Sequence, residues 1–165
     1  MKTLLVLRHA KSSWKDASQR DFDRPLNTRG TDDAALMGAV MRKKKIDPEL
    51  ILSSPALRAR QTAELAIADG KLSGELRFDG RIYEASARRL LEVVAEIDDQ
   101  FEVAMIIGHN PGFSDLFELI TATPVDLPTA SLSIIELHIS SWAKVCPRSG
   151  VLKHLFEPKK LKAGK

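Results

Sequence analysis

The chain has 165 residues, of which 44% are hydrophobic, with a formal net charge of +3 and one cysteine, Cys146. This length fits one domain with a sizeable core, while a lone cysteine excludes an intrachain disulfide and a cysteine-based metal site. No apolar run approaches the roughly 18 residues of a membrane helix, and the apolar start at residues 1–7 is too short for a signal peptide, so we expect a cytoplasmic protein without a membrane partner.

Strand and helix patterns alternate along the sequence. In chain order they predict a strand at residues 3–7, a helix capped by Thr28 or Thr31, a strand at 50–52, a helix over about 56–68, a short strand at 76–78, a helix capped by Ser86, a strand at 103–107, a helix through 120, and extended stretches at 132–139 and 151–156. This alternation predicts one α/β domain over residues 1–157, in which helices cover both faces of a mostly parallel sheet. The basic residues 158–165 are predicted to form a frayed C-terminal tail.

Arginine and histidine residues follow three of these predicted strands. Arg8 and His9 follow the first strand, Arg58 lies shortly after the second, and His109 follows the strand at 103–107. Each of these residues alone is more often a surface charge or a loop residue. Ligands of parallel sheets bind beyond the carboxyl ends of the strands, however, so we expect the four side chains to meet at one edge of the sheet.

This set of side chains suits phosphoryl transfer. Arginine presents a planar, permanently charged fork that matches phosphate oxygens, and Arg8 and Arg58 would also favour the neutral, nucleophilic form of a nearby imidazole. The second histidine can donate a hydrogen bond to a phosphoryl oxygen. Because phosphoryl transfer depends mainly on positioning and electrostatics, we expect neither a metal ion nor a cofactor.

Several segments of the sequence carry a family resemblance: Arg8-His9-Ala10-Lys11-Ser12, Arg24-Pro25-Leu26-Asn27 with Gly30, Ser53-Ser54-Pro55 through Arg58 to Gln61-Thr62-Ala63, Tyr83-Glu84-Ala85, and Gly108-His109-Asn110-Pro111-Gly112. Through these segments, residues 4 to about 136 resemble the histidine phosphatase superfamily, which includes the cofactor-dependent phosphoglycerate mutases, and within it the small SixA-type phosphohistidine phosphatases. The resemblance implies a phosphoglycerate mutase-like fold and hydrolysis of a phosphomonoester or phosphoramidate through a phosphohistidine intermediate. It also implies that His9 is the phosphorylated residue and that Arg8, Arg58 and His109 complete the phosphate pocket.

The general acid stays open between two interpretations. Larger members of the superfamily use a Glu or Asp in a later loop to protonate the leaving group, and Glu84 lies in a comparable place before the third helix. Glu84 suits equally well the N-terminus of that helix, where a negative charge contributes about 0.3–1 kcal/mol. Lys11, Ser12 and Asn27 are candidates for the rim of the pocket, with solvated loop positions as the alternative.

The expected substrate is a protein that carries phosphohistidine. The connections between strands and helices are predicted to be short, which predicts a shallow, open pocket and argues against a mutase, whose site is usually closed by extra loops. A small phosphate ester is the alternative substrate, and a non-catalytic phosphopeptide-binding module is disfavoured because it would not need His9. Aromatic residues do not interleave with the basic runs at 42–45 and 153–165, and no heptad seam is visible, so we expect a monomer without a nucleic-acid partner.

Overall fold

The computed structural model describes residues 1–164. Its strands and helices are β1 (Lys2–Arg8), α1 (Thr28–Lys43), β2 (Leu50–Ser53), α2 (Leu57–Gly70), β3 (Glu75–Phe78), α3 (Ala87–Ala95), β4 (Val103–Gly108), α4 (Gly112–Thr121), β5 (Leu132–Leu137), β6 (Gly150–Phe156) and α5 (Pro158–Ala163). Three single 3-10 turns lie between them, at Asp21–Asp23, Gly80–Ile82 and Trp142–Lys144. Within residues 1–164, no helix has the length and apolar character needed to cross a membrane.

The strands form one six-stranded sheet in the order β3-β2-β4-β1-β5-β6. β3, β2, β4 and β1 run parallel, whereas β5 is antiparallel to β1 and β6 is antiparallel to β5. The predicted α/β domain with a mostly parallel sheet is therefore confirmed. In the pairing register, Arg8 lies opposite Gly108 and Ser53 lies opposite Ile107, so the carboxyl ends of β1, β2 and β4 reach the same edge of the sheet.

Both faces of the sheet are covered by helices. Along β1, Leu4 and Val6 pack into one core with residues of α3 and α4, while Leu5 and Leu7 pack into a second core with residues of α1 and α2. Successive side chains of a strand point to opposite faces, so an uninterrupted apolar run is what a strand buried on both sides requires. This double burial holds the central strands, and hence the edge where they end, in a fixed position.

Side-chain caps set the start of two helices. Asn27 caps α1, because its Oδ1 accepts the Gly30 N–H at 2.8 Å. The helix begins at Thr28, and the prediction that Thr28 or Thr31 is its cap is therefore wrong. Ser86 caps α3, as predicted, because its Oγ accepts the Arg89 N–H at 3.2 Å. Gly30 permits a close approach at the start of α1, since a Cβ there would lie 2.0 Å from the Lys11 carbonyl oxygen.

Two regions differ from the prediction. The connection between β1 and α1 is long, since it occupies residues 9–27 and includes the 3-10 turn Asp21–Asp23. At the other end of the chain, the predicted frayed tail contains the helix α5, in which Pro158 is buried and Lys162 pairs with the buried carboxylate of Asp33 on α1. The ion pair with the buried Asp33 stabilises the packing of this basic segment against α1, so the segment is helical and not frayed. Lys165, the last residue of the predicted tail, lies outside the described residues.

Candidate active site

A cavity of about 850 Å³ opens at the edge of the sheet where β1, β2 and β4 end. It is lined by seven of the eight residues predicted for the site: Arg8, His9, Lys11, Ser12, Arg58, Glu84 and His109. The eighth, Asn27, does not line this cavity because its side chain caps α1. The strand ends thus bring the predicted arginine and histidine residues together, as the parallel topology requires.

His9 is held as a neutral imidazole with one nitrogen available. Its Nδ1 lies 2.7 Å from the Ala10 carbonyl oxygen, which can only accept a hydrogen bond, so Nδ1 carries the proton and the Nε2 lone pair is free. The Ala10 N–H in turn donates to Thr62 Oγ1 at 3.0 Å, which anchors this turn to α2. Burial, as the largest effect, and the charges of Arg58 and Arg8 together lower the pKa of His9 to about 4, against the opposing effect of the Ala10 hydrogen bond. A neutral imidazole with an available Nε2 is a nucleophile at neutral pH.

His109 lies beside His9, with 5.1 Å between the ring centroids. Its Nε2 is 2.7 Å from Ser54 Oγ, which already accepts the Ala56 N–H and so is free to donate its own proton to that nitrogen. In this arrangement Nδ1 carries the single N–H proton of the ring, and Nδ1 is buried with no hydrogen-bond partner among the described residues. Burial, as the largest effect, together with His9 and Arg58 lowers the pKa of His109 to about 3. His109 is therefore a neutral ring with a donor left for an oxyanion.

Three guanidinium groups, rather than the two predicted, surround the histidines. Arg8 donates from Nη1 to the Leu127 carbonyl oxygen at 2.6 Å, and Arg58 donates from Nη1 and Nη2 to Asp21. In both side chains Nε is buried and has no partner among the described residues. The third group belongs to Arg24, which is buried and lies over the Trp14 ring at 3.5 Å from its centroid. Buried cationic nitrogens without partners are suited to bind an anion such as phosphate.

Asp21 lines the cavity and Tyr83 contacts Asp21, although neither was among the residues predicted for the site; Tyr83 lies in a segment that carries the family resemblance, and Asp21 lies outside those segments. Asp21 accepts hydrogen bonds from Tyr83 Oη at 2.7 Å, from Arg58 Nη2 at 2.9 Å and from Arg24 Nε at 3.1 Å. Burial alone would raise the pKa of Asp21, but these hydrogen bonds lower it to about 2, so the carboxylate is ionised. Burial and the hydrogen bond to Asp21 raise the pKa of Tyr83 to about 12, so the phenol keeps its proton.

The rim residues have distinct surroundings. Glu84 is exposed on the rim with φ of 53°, a left-handed conformation that non-glycine residues seldom adopt. Gly112, at the start of α4, allows this loop to approach, because a Cβ there would lie 2.2 Å from the Ala85 carbonyl oxygen. Lys11 is exposed on the opposite loop, whereas Ser12 is buried and accepts a hydrogen bond from Arg24. Ser12 therefore positions an arginine and is not a free rim group.

Known proteins resemble this chain in sequence and in fold. The model of the "Histidine phosphatase superfamily (branch 1)" matches residues 4–110. An uncharacterised chloroplastic protein of Arabidopsis thaliana is 31% identical over 156 residues, which cover 89% of this chain and 72% of that protein. A structure assigned as the phosphohistidine phosphatase SixA from Agrobacterium tumefaciens is 26% identical, with a TM-score of 0.81 over 95% of this chain and 98% of that one.

A third comparison concerns the fold alone. The protein histidine phosphatase SixA complexed with tungstate has a TM-score of 0.83 and 23% identity over 96% of this chain and 99% of that chain. The family match spans more than half of the sequence and contains Arg8, His9, Arg58 and His109. The shared fold and the position of these four side chains in one cavity are consistent with this match. The chain therefore belongs to the histidine phosphatase superfamily.

Proposed function

We propose that the protein is a phosphatase that takes the phosphoryl group of its substrate onto His9 and then releases it to water. The observation that carries this proposal is the state of His9, a neutral imidazole whose Nδ1 proton is tied to Ala10 while Nε2 stays available. The buried guanidinium groups beside it supply the positive charge that the equatorial oxygens of a transferring phosphoryl group need.

The first step is attack of His9 Nε2 on phosphorus. The N–P bond forms as the bond to the leaving group breaks, and the leaving group takes up a proton. Arg8, Arg58 and the Nδ1 proton of His109 are the donors that would stabilise the phosphoryl oxygens. His9 Nδ1 keeps its proton, which it donates in a hydrogen bond to the Ala10 carbonyl oxygen, so the phosphorylated ring carries a positive charge and is a good leaving group.

The second step returns His9 to its starting state. A water molecule attacks phosphorus, the N–P bond breaks, and His9 Nε2 regains its lone pair while the proton of the water goes to solvent or to a rim carboxylate. Glu84 lines the cavity and is exposed. We therefore assign two roles to Glu84: it accepts the proton of the attacking water in this step, and it protonates an ester leaving group in the first step.

We further propose that the preferred substrate is phosphohistidine on another protein. The likeness to the Agrobacterium tumefaciens protein assigned as the phosphohistidine phosphatase SixA, at 26% identity over nearly the whole chain, supports this class. An open rim also supports it, since Lys11, Trp14 and Glu84 line the cavity mouth and are all exposed, so a phosphoryl group on a protein surface can reach them. The N–P bond needs little help from an acid, which fits a solvent-exposed Glu84.

A phosphorylated metabolite is the second candidate, and the volume of the cavity favours it. About 850 Å³ is enough for a small molecule, since ligand pockets commonly measure about 300–1,000 Å³. The prediction that the connections are short is wrong for the segment 9–27, which contributes Trp14, Asp21 and Arg24 to the wall of the cavity. Short connections therefore support neither a shallow pocket nor the exclusion of a mutase.

The test compares the hydrolysis of a phosphohistidine-bearing protein, free phosphohistidine and a sugar phosphate by the wild-type enzyme and by His9→Ala. We expect kcat/KM for the phosphoprotein to exceed that for the sugar phosphate by on the order of tenfold or more, and His9→Ala to abolish both activities. A sugar phosphate that is the better substrate would favour the metabolite phosphatase. Binding of a phosphoprotein without hydrolysis, unchanged in His9→Ala, would instead identify a binding module.

A further inference from the structure

Asp21 makes all the hydrogen bonds that the terminal nitrogens of Arg58 have with the described residues. Arg58 Nη1 donates to the Asp21 carbonyl oxygen at 2.7 Å, and Arg58 Nη2 donates to Asp21 Oδ2 at 2.9 Å. The two contacts come from one residue, and they approach the guanidinium from one side. Asp21 therefore sets both the position and the plane of the Arg58 fork.

The orientation that Asp21 imposes leaves donors for an anion. A guanidinium group has five N–H donors, and Asp21 occupies one on each terminal nitrogen of Arg58. The Nε of Arg58 is buried and has no partner among the described residues. An oxyanion in the cavity can thus be bound by the free side of the fork while Asp21 holds the other side.

Asp21 itself is fixed from further directions. Tyr83 Oη donates to Asp21 Oδ2 at 2.7 Å, and Arg24 Nε donates to Asp21 Oδ1 at 3.1 Å. Phe22, the next residue, packs edge to face on the Tyr83 ring with 5.2 Å between the centroids. These contacts tie the long segment 9–27 to the loop before α3, so the carboxylate has a defined place from which to hold Arg58.

We propose that Asp21 is a positioning residue that acts through Arg58, holding its guanidinium in the orientation that binds the transferring phosphoryl group. This inference rests on the proposed function of the site. Asp21 is ionised and accepts a hydrogen bond from Tyr83 Oη, so it has no proton to give to a leaving group. A carboxylate that only anchored the loop would act independently of Arg58, and this difference can be measured.

The experiment is a double-mutant cycle of Asp21→Ala and Arg58→Ala, read as kcat/KM for a chromogenic phosphate ester. We expect Asp21→Ala to lower kcat/KM by about tenfold or more in the wild-type background and by at most about threefold in the Arg58→Ala background. A loss below about fivefold in the wild-type background, or one above about threefold in the Arg58→Ala background, would overturn the proposal. The matched control is Asp23→Ala, because Asp23 pairs with the exposed Arg20 and does not line the cavity; it should change kcat/KM by less than about twofold.

A second readout does not depend on turnover. The dissociation constant of orthovanadate, a phosphate mimic, is measured for the same four proteins by calorimetry, after thermal unfolding has shown that each variant is folded. We expect Asp21→Ala to change this constant only where Arg58 is present, and an equal change in both backgrounds would contradict the proposal. If the wild-type enzyme hydrolyses no phosphate compound, the proposed function fails, while the vanadate cycle still decides whether Asp21 acts through Arg58.

Discussion

Arg58→Lys keeps the positive charge in the pocket but removes the planar fork. In the structure Arg58 uses Nη1 and Nη2 to hold Asp21 and leaves its buried Nε without a partner. A lysine has one nitrogen, which cannot make both hydrogen bonds to Asp21 and also face the phosphoryl group. Hydrogen bonds to charged groups contribute about 1.5–3 kcal/mol each, and the charge that lysine retains offsets part of the loss of one or two of them, so the change should cost about 1.4–4 kcal/mol in the transition state. The expected fall in kcat/KM is therefore on the order of tenfold to a thousandfold.

The assay is steady-state hydrolysis of a chromogenic phosphate ester, with the thermal midpoint of each variant measured to exclude unfolding. Arg60→Lys is the matched control, since Arg60 lies two positions further along α2, is exposed and does not line the cavity. Arg42→Lys, at the exposed end of α1, should be equally tolerated. Equal losses for Arg58→Lys and Arg60→Lys would refute the reasoning, because they would place the phosphate pocket elsewhere.

Three further predictions concern pH, the general acid and metal ions. The free energy of unfolding should fall by about 1 kcal/mol per histidine from pH 7.5 to 5.5, because unfolded histidines bind protons near the reference pKa of 6.5 while His9 and His109 bind them only near 4 and 3. Denaturant titrations at both pH values check this, and a fall that is no smaller in His9→Gln would contradict it. Glu84→Gln should harm ester hydrolysis more than phosphohistidine hydrolysis, since an alkoxide depends more on an acid; equal losses would remove Glu84 from that role. Activity should survive exhaustive chelation because three guanidinium groups supply the positive charge, and restoration of a lost activity by a divalent ion would disprove this.

Hydrophobic patterns were sufficient to predict most of the fold. The apolar runs of β1, β2 and β4 and the Ser86 cap are local signals, and the structure contains the elements that they predict. The direction of the last two strands is not a local property, because alternation along β5 looks the same in a parallel or an antiparallel pair. The docking of α5 also depends on a distant residue, since it needs the buried Asp33 of α1 as the partner of Lys162.

The same distinction explains which site residues the sequence indicated. Arg8, His9, Arg58 and His109 follow strands whose carboxyl ends must meet, so their proximity follows from topology. Asp21, Arg24 and Tyr83 lie in the irregular segments between strands and helices, and their roles depend on tertiary contacts such as the Asp21–Tyr83 hydrogen bond and not on periodicity. Arg24 and Tyr83 fall within the segments that carry the family resemblance, but nothing in the sequence pattern assigned them a contact in the site. Asn27 was a candidate for the rim of the pocket. It directly precedes a helix, however, and its side chain is the N-cap of α1.

The central claim is that His9 carries the phosphoryl group, and trapping the intermediate tests it most directly. The enzyme is mixed with a substrate that carries a labelled phosphoryl group, quenched in alkali within milliseconds, where phosphoimidazole is stable, and digested for mass spectrometry. We expect the labelled phosphoryl group on His9 of the wild-type enzyme and no labelled residue in the His9→Ala variant. Label on a serine, an aspartate or Cys146, or the absence of label while the wild-type enzyme turns over, would contradict it.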